Sequence, residues 1–265
     1  MAACDRQAPL LPDGAHYVAM GSSFASGPGL PPYQDASPKR CARSSRNYAA
    51  LLAQSLNLSL TDMTCAGAKT EHILEDWKEL DAQIAGLRED TKLVTITIGG
   101  NDLGYIGGLS SASCRTLVEQ GKSTAKCWPR SLPAASDYQD VLQQLVKIAQ
   151  TAKDRAPDAT IVFVTYFSVL PDGPVCDAAP LTDAQADAYR TIGKELEAIT
   201  AQAAQQTGSR LLDTAALTRA HHVCAPEPWM HGYWPNPNWS EKAPYHAKAE
   251  AMQAVAGALE AMLTQ

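Results

Sequence analysis

The sequence has no apolar run near the ~18 residues that a membrane-spanning helix requires, so no transmembrane segment is expected. Its 22 Lys and Arg residues are scattered among 28 Asp and Glu residues. They form no basic stripe of the kind that nucleic-acid binding needs. No Cys-x-x-Cys pair is present, and the loop after the first apolar segment has neither dinucleotide-binding nor Walker spacing. These absences disfavour zinc, redox and nucleotide-binding functions, and no metal or cofactor is expected.

Seven cysteines are present, and no signal-peptide pattern is visible in the first residues of the sequence. The six that follow Cys4 pair naturally as neighbours, although six cysteines allow many other connectivities: Cys41–Cys65, Cys114–Cys127 and Cys176–Cys224. Disulfides indicate an oxidising compartment, so we expect a secreted protein whose signal has been removed. Cys4 is left as an unpaired thiol near the N-terminus, with lipid attachment after Ala2-Ala3 as the alternative.

No repeat or long linker divides the chain, which favours one domain over 1–265 with an extended N-terminal segment at 1–14. Short apolar runs alternate with helical patterns. Strands are predicted at His16–Gly21, Leu58–Met63, Leu93–Ile98, Thr160–Tyr166 and Arg210–Asp213. Helices are predicted at Ser44–Leu56, Thr70–Arg88, Tyr138–Arg155, Thr182–Thr207 and His246–Leu263. This alternation predicts an α/β fold, a three-layer α/β/α sandwich around a doubly wound parallel sheet of about five strands.

Residues suited to acyl transfer follow three of these strands. Ser23 comes just after the first strand, between Gly21 and Gly27. Gly67 follows the second strand, and Asn101 follows the third in Gly99-Gly100-Asn101-Asp102. A backbone N–H and an Asn amide are both suitable donors to a developing oxyanion. Because ligands bind beyond the carboxyl ends of parallel strands, we expect these residues to meet in one site.

Among six histidines, His246 is the candidate base, because it follows a Trp- and Pro-rich loop and is predicted to open the last helix. His16 lies within a strand and is predicted to be structural. His221 and His222 are adjacent but lack further ligands for a metal. Four aromatic residues before His246 either line a substrate pocket or pack the loop, and both possibilities stay open: Trp229, Tyr233, Trp234 and Trp239.

These blocks resemble those of the SGNH (GDSL-type) hydrolases, and within them the three-disulfide secreted esterases and lipases of actinomycetes. The resemblance covers nearly the whole chain and rests on Tyr17–Gly27, Cys65–Ala68, Gly99–Asp102 and Pro244–His246. It implies the SGNH, flavodoxin-like fold and the disulfide pairing given above. It also implies Ser23 as nucleophile, His246 as base, and an oxyanion hole made of the Ser23 and Gly67 N–H groups with Asn101.

Three departures from the family pattern bear on the mechanism. Ser22 stands where the family usually has Asp, which leaves Ser22 or Ser23 as nucleophile, with register favouring Ser23. The residues after His246 also differ from the usual ones. The triad Asp normally lies three residues before the His, and that position is Ala243. We therefore predict a dyad whose His246 is oriented by the Ala243 carbonyl. A carboxylate from Asp213 or Glu241, or lost activity, are the alternatives.

The sequence thus predicts a secreted serine ester hydrolase of the carboxylesterase or lipase type, which forms an acyl-enzyme on Ser23. Two alternatives remain: a phospholipase or carbohydrate deacetylase on the same machinery, and an inactive glycan- or lipid-binding protein on a hydrolase scaffold. The partner is expected to be a small-molecule, lipid or glycan ester, and the chain is expected to act as a monomer.

Overall fold

The structure, a computed structural model, describes residues 11–235 and 241–264. Its centre is a five-stranded sheet in which every neighbouring pair is parallel, in the order β2-β1-β3-β4-β5. The strands are β1 His16–Gly21, β2 Ser59–Asp62, β3 Leu93–Thr97, β4 Thr160–Val164 and β5 Arg210–Leu212. The predicted strands are therefore confirmed, each to within two residues at either end.

Eight α-helices connect or follow the strands in the described part of the chain. They are α1 Ser23–Ser26, α2 Tyr48–Ser55, α3 Glu71–Leu74, α4 Tyr105–Glu119, α5 Ala135–Arg155, α6 Asp183–Thr207, α7 Thr214–Thr218 and α8 Ala249–Leu263. Helix α2 packs against α8, and α5 packs against α6 and reaches β4. The predicted α/β fold, a parallel sheet flanked by helices, is confirmed.

The central strands are apolar along their whole length because both faces of the sheet are covered. All six residues of β1 and all five of β3 are buried, whereas the edge strands β2 and β5 are only partly so. Continuous burial of this kind is typical of parallel strands between two helical layers. It places the carboxyl ends of β1 and β3 side by side at one edge of the sheet.

The helix predicted at Thr70–Arg88 is wrong. Only the single turn α3 forms there, followed by a reversal in which Lys78 has a φ of 58°. A 3₁₀ turn at Gln83–Gly86 then buries Gln83 against β1. Its side-chain amide hydrogen-bonds the N–H and the carbonyl of Gly21, at 2.6 and 3.0 Å. This long-range pairing replaces the helix that local periodicity favours.

Other helix boundaries also differ from the prediction. Helix α2 begins at Tyr48, four residues after the predicted start, and α5 begins at Ala135, three residues before it. Helix α8 begins at Ala249, so His246 lies in the turn before the helix instead of opening it. Helix α4 was not predicted, because its sequence is rich in Gly and Ser, which are weak helix formers. Its Gly108 is required by packing: a Cβ there would lie 2.6 Å from the Tyr189 hydroxyl. The capping box predicted at Thr182 and Gln185 is confirmed at the start of α6.

The three predicted disulfides are present, as Cys41–Cys65, Cys114–Cys127 and Cys176–Cys224. Cys4 and most of the N-terminal segment predicted at 1–14 lie outside the described residues. His16 is structural as predicted, since its ring nitrogens hydrogen-bond Thr91 at 2.8 Å and Thr61 at 2.9 Å. Within the described ranges, none of the helices has the length and apolar character needed to cross a bilayer.

Candidate active site

The turn between β1 and α1 is fixed by the contacts of the Gly21 backbone. Gly21 has a φ of 151°, and a Cβ at this position would lie 2.5 Å from the Thr97 carbonyl oxygen on β3. Only glycine therefore fits so close to the neighbouring strand. With Gln83 bonded to both of its backbone groups, Gly21 holds the following residue, Ser22, and the start of α1 in one place.

The two adjacent serines have different surroundings. Ser22 is fully buried, and its hydroxyl lies 2.6 Å from the hydroxyl of Tyr166, which also accepts the Gly100 N–H at 3.2 Å. Ser23 is the first residue of α1, is partly exposed and lines a cavity. The first N–H groups of a helix lack partners within it. Ser22 thus joins β1 to the β3 loop, while Ser23 presents its hydroxyl to the cavity.

Gly67 and Asn101 line the same cavity from the ends of β2 and β3. Gly67 is exposed, with a left-handed φ of 84°. The Asn101 side chain donates one N–H to the Ala68 carbonyl at 2.9 Å, which fixes the plane of its amide. Because the amide carries two N–H groups, the second remains for a ligand.

A partly buried carboxylate holds these two loops together. Asp102 accepts the Thr70 N–H at 3.1 Å and the Thr70 hydroxyl at 2.5 Å. Burial raises the pKa of Asp102, and the hydrogen bonds from Thr70 oppose that rise. This pair sets the spacing between the loop that carries Gly67 and the loop that carries Asn101.

His246 is seated by a tight turn. Its N–H donates to the Ala243 carbonyl at 3.2 Å, with Pro244 second in the turn and Tyr245 third at a φ of 59°. Pro followed by a residue with positive φ is the pattern of a type II turn. The His246 Nδ1 lies 2.8 Å from the Pro244 carbonyl oxygen. The prediction that the Ala243 carbonyl orients the imidazole is therefore wrong: the carbonyl at hydrogen-bond distance from Nδ1 is that of Pro244, and the Ala243 carbonyl bonds the His246 N–H.

The backbone around His246 is tied to the preceding loop. The His231 N–H donates to the His246 carbonyl at 2.9 Å, and the Tyr245 N–H donates to the His231 carbonyl at 3.1 Å. The Tyr245 side chain is fully buried, and its hydroxyl lies 2.5 Å from that of Ser113 on α4. These contacts hold Tyr245 in its positive-φ conformation, which is uncommon for a bulky residue.

The imidazole of His246 is buried, and its ring centroid lies 5.3 Å from that of Phe24, the residue after Ser23. The pKa of His246 is lowered to about 4, mainly by burial; the hydrogen bond to Pro244 opposes this shift, and nearby His231 adds a smaller lowering contribution. Burial likewise lowers the pKa of His231 to about 4. Both rings are thus neutral at ordinary pH, and a hydrogen bond from Nδ1–H to the carbonyl leaves Nε2 as the basic nitrogen.

The two carboxylates considered as third members of a triad lie in other settings. Asp213 accepts the Ala216 N–H at 2.8 Å and so caps the N-terminus of α7. Glu241 is exposed. The His246 Nδ1 lies at hydrogen-bond distance from a backbone carbonyl, which comes from Pro244 and not from Ala243.

The cavity has a volume of about 450 Å³. Its walls come from the ends of β1, β2 and β3, from α4, from the loop after α4 and from the turn that carries His246. Its lining residues include Ser23, Gly67, Asn101, Ile106, Ser110, Lys126, Trp128, Arg130, Tyr233 and His246. One cavity therefore contains the four residues that the sequence predicts for the site: Ser23, Gly67, Asn101 and His246.

The four aromatic residues predicted for this region have different surroundings. Tyr233 lines the cavity. Trp229 stacks on His221, with ring centroids 3.7 Å apart, and Trp234 packs edge-on to His231; the structure does not place either in the cavity wall. Trp239 lies outside the described residues. Loop packing thus accounts for two of the four.

Sequence reasoning missed three residues that shape the site. Gln83 pins Gly21, Tyr166 bridges Ser22 and Gly100, and the Pro244 carbonyl contacts His246. A Cβ at Gly100 would lie 2.5 Å from the Tyr166 ring, so this glycine makes room for the tyrosine. The Gly-Gly pair after β3 was the available signal for a close neighbour, but it does not name Tyr166.

Comparisons with known proteins identify the family of this chain. The GDSL-like lipase/acylhydrolase family matches residues 19–254. A lipase of Streptomyces rimosus is 32% identical over 217 residues, 81% of this chain and 75% of that protein. Lipase 1 of Streptomyces coelicolor is 30% identical over 233 residues, which are 87% of this chain and 79% of the relative.

Two solved structures share the fold. The extracellular lipase of Streptomyces rimosus superposes with a TM-score of 0.75 at 26% identity, over 93% of this chain and 99% of that one. The phospholipase A1 of Streptomyces albidoflavus superposes with a TM-score of 0.74 at 24% identity, over 94% of this chain and 99% of that one.

Proposed function

Because this chain belongs to the GDSL-like lipase/acylhydrolase family, and is thus a carboxylic ester hydrolase, we propose that it works by acyl transfer to Ser23 with His246 as general base. One observation carries the proposal. Ser23, Gly67, Asn101 and His246, which come from four separate segments of the sequence, line one cavity.

Acylation begins when His246 takes the Ser23 proton as the hydroxyl oxygen attacks the ester carbonyl. The new C–O bond moves the carbonyl electron pair onto oxygen. The N–H groups of Ser23 and Gly67 and the Asn101 amide hold that oxyanion. His246 then returns the proton to the departing alcohol, and the acyl group stays on Ser23. Water attacks the acyl-enzyme in the same way, with His246 as base, and releases the acid.

The Pro244 carbonyl replaces the usual carboxylate in one of its two tasks. As an acceptor it holds the Nδ1–H tautomer and the ring orientation. It carries less negative charge, so it stabilises the imidazolium less than an Asp would. Burial keeps the imidazole neutral and therefore ready to accept the Ser23 proton.

Acyl-enzyme formation predicts a burst. Rapid mixing of the enzyme with p-nitrophenyl acetate is expected to release about one equivalent of p-nitrophenol before the steady state, provided that deacylation is the slower step. The released amount should follow active-site concentration. Hydrolysis that is linear from the start, with no adduct trapped by acid quenching and mass spectrometry, would contradict a covalent intermediate.

Removing the side-chain donor of the oxyanion hole should slow the chemical step. Asn101→Ala is expected to lower kcat by about two to three orders of magnitude, as loss of one such donor does in other serine hydrolases. Because the amide also bonds the Ala68 carbonyl, thermal unfolding of the variant is measured beside kcat. An unchanged kcat in a folded variant would exclude Asn101 from the oxyanion hole.

The low pKa of His246 predicts that activity falls at an unusually low pH on the acid side of the pH–rate profile. Only the neutral imidazole can accept a proton, and burial lowers the pKa of His246 to about 4. The rate constant kcat/KM should therefore stay level as the pH falls through 6.5, the ordinary value for histidine, and decline only near pH 4. Initial rates on soluble esters, with circular dichroism to confirm folding, measure this profile.

A carboxylate three residues before His246 should shift the acid side of the pH–rate profile to higher pH. In Ala243→Asp, a negative charge beside the imidazole favours its protonated form and raises its pKa. The acid limb is then expected at higher pH than in the native enzyme. A native limb near pH 6.5 that Ala243→Asp leaves in place would contradict the carbonyl-held dyad.

Location and substrate class complete the proposal. The three disulfides and the extracellular Streptomyces relative support a secreted enzyme. The cavity combines apolar walls with a polar reaction centre, which suits an acyl ester. Action as a monomer, which we expect from the sequence, stays a prediction.

A further inference from the structure

The loop between α4 and α5, residues 120–134, exposes apolar side chains to solvent. Trp128 is 73% exposed and Leu132 is 57% exposed. Val118, at the end of α4, is 39% exposed. These are the exposed large hydrophobic residues of the described part of the chain, and all three lie within fifteen positions of one another. Clustered exposure of this kind marks an interaction site more often than scattered apolar residues do.

The same loop is basic in an acidic protein. It carries Lys122, Lys126 and Arg130, and no Asp or Glu occurs from 120 to 136, so the exposed Glu119 at the end of α4 is the one acid between 118 and 132. The chain as a whole has a formal net charge of −6. The cations are interspersed with the exposed apolar residues, so the surface of the loop combines positive charge with apolar contact area.

The loop lies at the mouth of the catalytic cavity. Lys126, Trp128 and Arg130 line that cavity together with Ser23. The Arg130 guanidinium packs over Gly107 on α4, where a Cβ would be 3.8 Å from Nη2. Anything that binds the exposed side of the loop is therefore held next to the entrance.

Several contacts fix the loop to α4. Cys127, beside Trp128, is bonded to Cys114. The Ser111 hydroxyl donates to the Trp128 carbonyl, and Arg115 donates to the Ser111 oxygen at 2.8 Å. Exposed apolar residues on a loop held in this way form a preorganised surface, so binding to it loses little further conformational entropy.

We propose that residues 118–132 dock the enzyme onto an anionic lipid surface, with Trp128 and Leu132 in the interface and the three cations against lipid headgroups. Trp is favoured at membrane–water interfaces because its ring is largely apolar and its N–H is polar. Each Lys or Arg near an anionic surface contributes about 1 kcal/mol. The proposal deepens the proposed function and rests on it for its purpose: docking brings an ester in the lipid layer to the Ser23 cavity.

Vesicle binding tests this docking separately from catalysis. The Ser23→Ala enzyme, which cannot digest its target, is sedimented with vesicles of phosphatidylcholine, with and without phosphatidylglycerol. Binding is expected on the anionic vesicles, accompanied by a blue shift of tryptophan fluorescence that Trp128→Phe removes. Added salt should weaken the binding, since it screens exposed charges.

Variants that remove positive charge test whether the loop is the lipid-binding surface. In the same background, replacing Lys122, Lys126 and Arg130 by Gln should lower the partition coefficient about 100-fold, from roughly fivefold per cation. The matched control replaces Lys147, Lys153 and Arg155, three exposed cations on α5, by Gln and should bind as the parent does. Equal binding of the loop and control variants, equal binding to both vesicle types, or no binding would overturn the proposal. Self-association through Trp128, detected by ultracentrifugation without lipid, would favour a second copy as the partner and would also overturn it.

A further pair of measurements separates the two proposals. Lys122→Gln with Leu132→Ala changes residues that the structure does not place in the cavity wall. This variant of the active enzyme should hydrolyse soluble p-nitrophenyl acetate at the native rate, while hydrolysis of esters in anionic vesicles falls with binding. Loss of both activities would show that the loop serves the reaction centre, and loss of neither would exclude docking through it.

Discussion

Replacing Ser23 by alanine is expected to lower kcat on a p-nitrophenyl ester by about four to six orders of magnitude, which is the scale seen when a serine nucleophile is removed. The structure gives the reason: Ser23 is the hydroxyl at the start of α1 that lines the cavity shared with His246 and Asn101. The fold should be little affected, because the side chain is partly exposed.

Ser22→Ala is the matched control. It removes the hydroxyl that lies 2.6 Å from the Tyr166 hydroxyl, in a fully buried position. Loss of such a bond leaves a buried partner unsatisfied and costs about 1–3 kcal/mol of stability. Its kcat should stay within about tenfold of native. The lost hydroxyl contacts Tyr166, and the nucleophile Ser23 remains. If Ser22→Ala abolished activity and Ser23→Ala did not, the nucleophile assignment would be reversed.

Replacing His246 by alanine should cost nearly as much as replacing Ser23, about four to six orders of magnitude in kcat. Without a base, none of the described residues of the cavity wall could take the Ser23 proton at neutral pH. Since the two residues act as a unit, the double variant should be no slower than either single variant. Additive losses would show that the two residues act in separate steps.

Two controls separate the imidazole from its surroundings. His221→Gln removes a ring that stacks on Trp229 and should leave kcat unchanged. Pro244→Ala keeps a carbonyl at the same chain position, so activity should fall no more than about tenfold, whereas loss of a triad carboxylate costs about 10⁴. A loss near 10⁴ in Pro244→Ala, with the fold intact, would mean that the proline ring itself positions His246.

Much of the sheet was predictable because its signals are local. The run His16–Gly21 is buried on both faces, and its pattern of apolar residues shows this before any contact is known. The order of the strand ends then brought Ser23, Gly67 and Asn101 to one edge. Parallel topology does this for any sequence with the same strand order.

The parts that were not predictable depend on contacts between distant residues. Gln83 pairs with Gly21 across 62 positions and so removes residues from a helix that local periodicity favours. The positive φ of Tyr245, which turns the Pro244 carbonyl toward His246, is an uncommon conformation for tyrosine. It is held by packing of the buried ring and by the contact with Ser113. No local signal distinguishes Ala243 from Pro244 as the acceptor.

The most direct test of the central claim is covalent labelling by a fluorophosphonate, which reacts only with an activated serine, followed by peptide mass spectrometry. We expect one adduct per chain, located on Ser23, with labelling lost in His246→Ala and retained in Ser22→Ala. An adduct on Ser22, or labelling of Ser23 that does not depend on His246, would contradict a reaction centre built from Ser23 and His246.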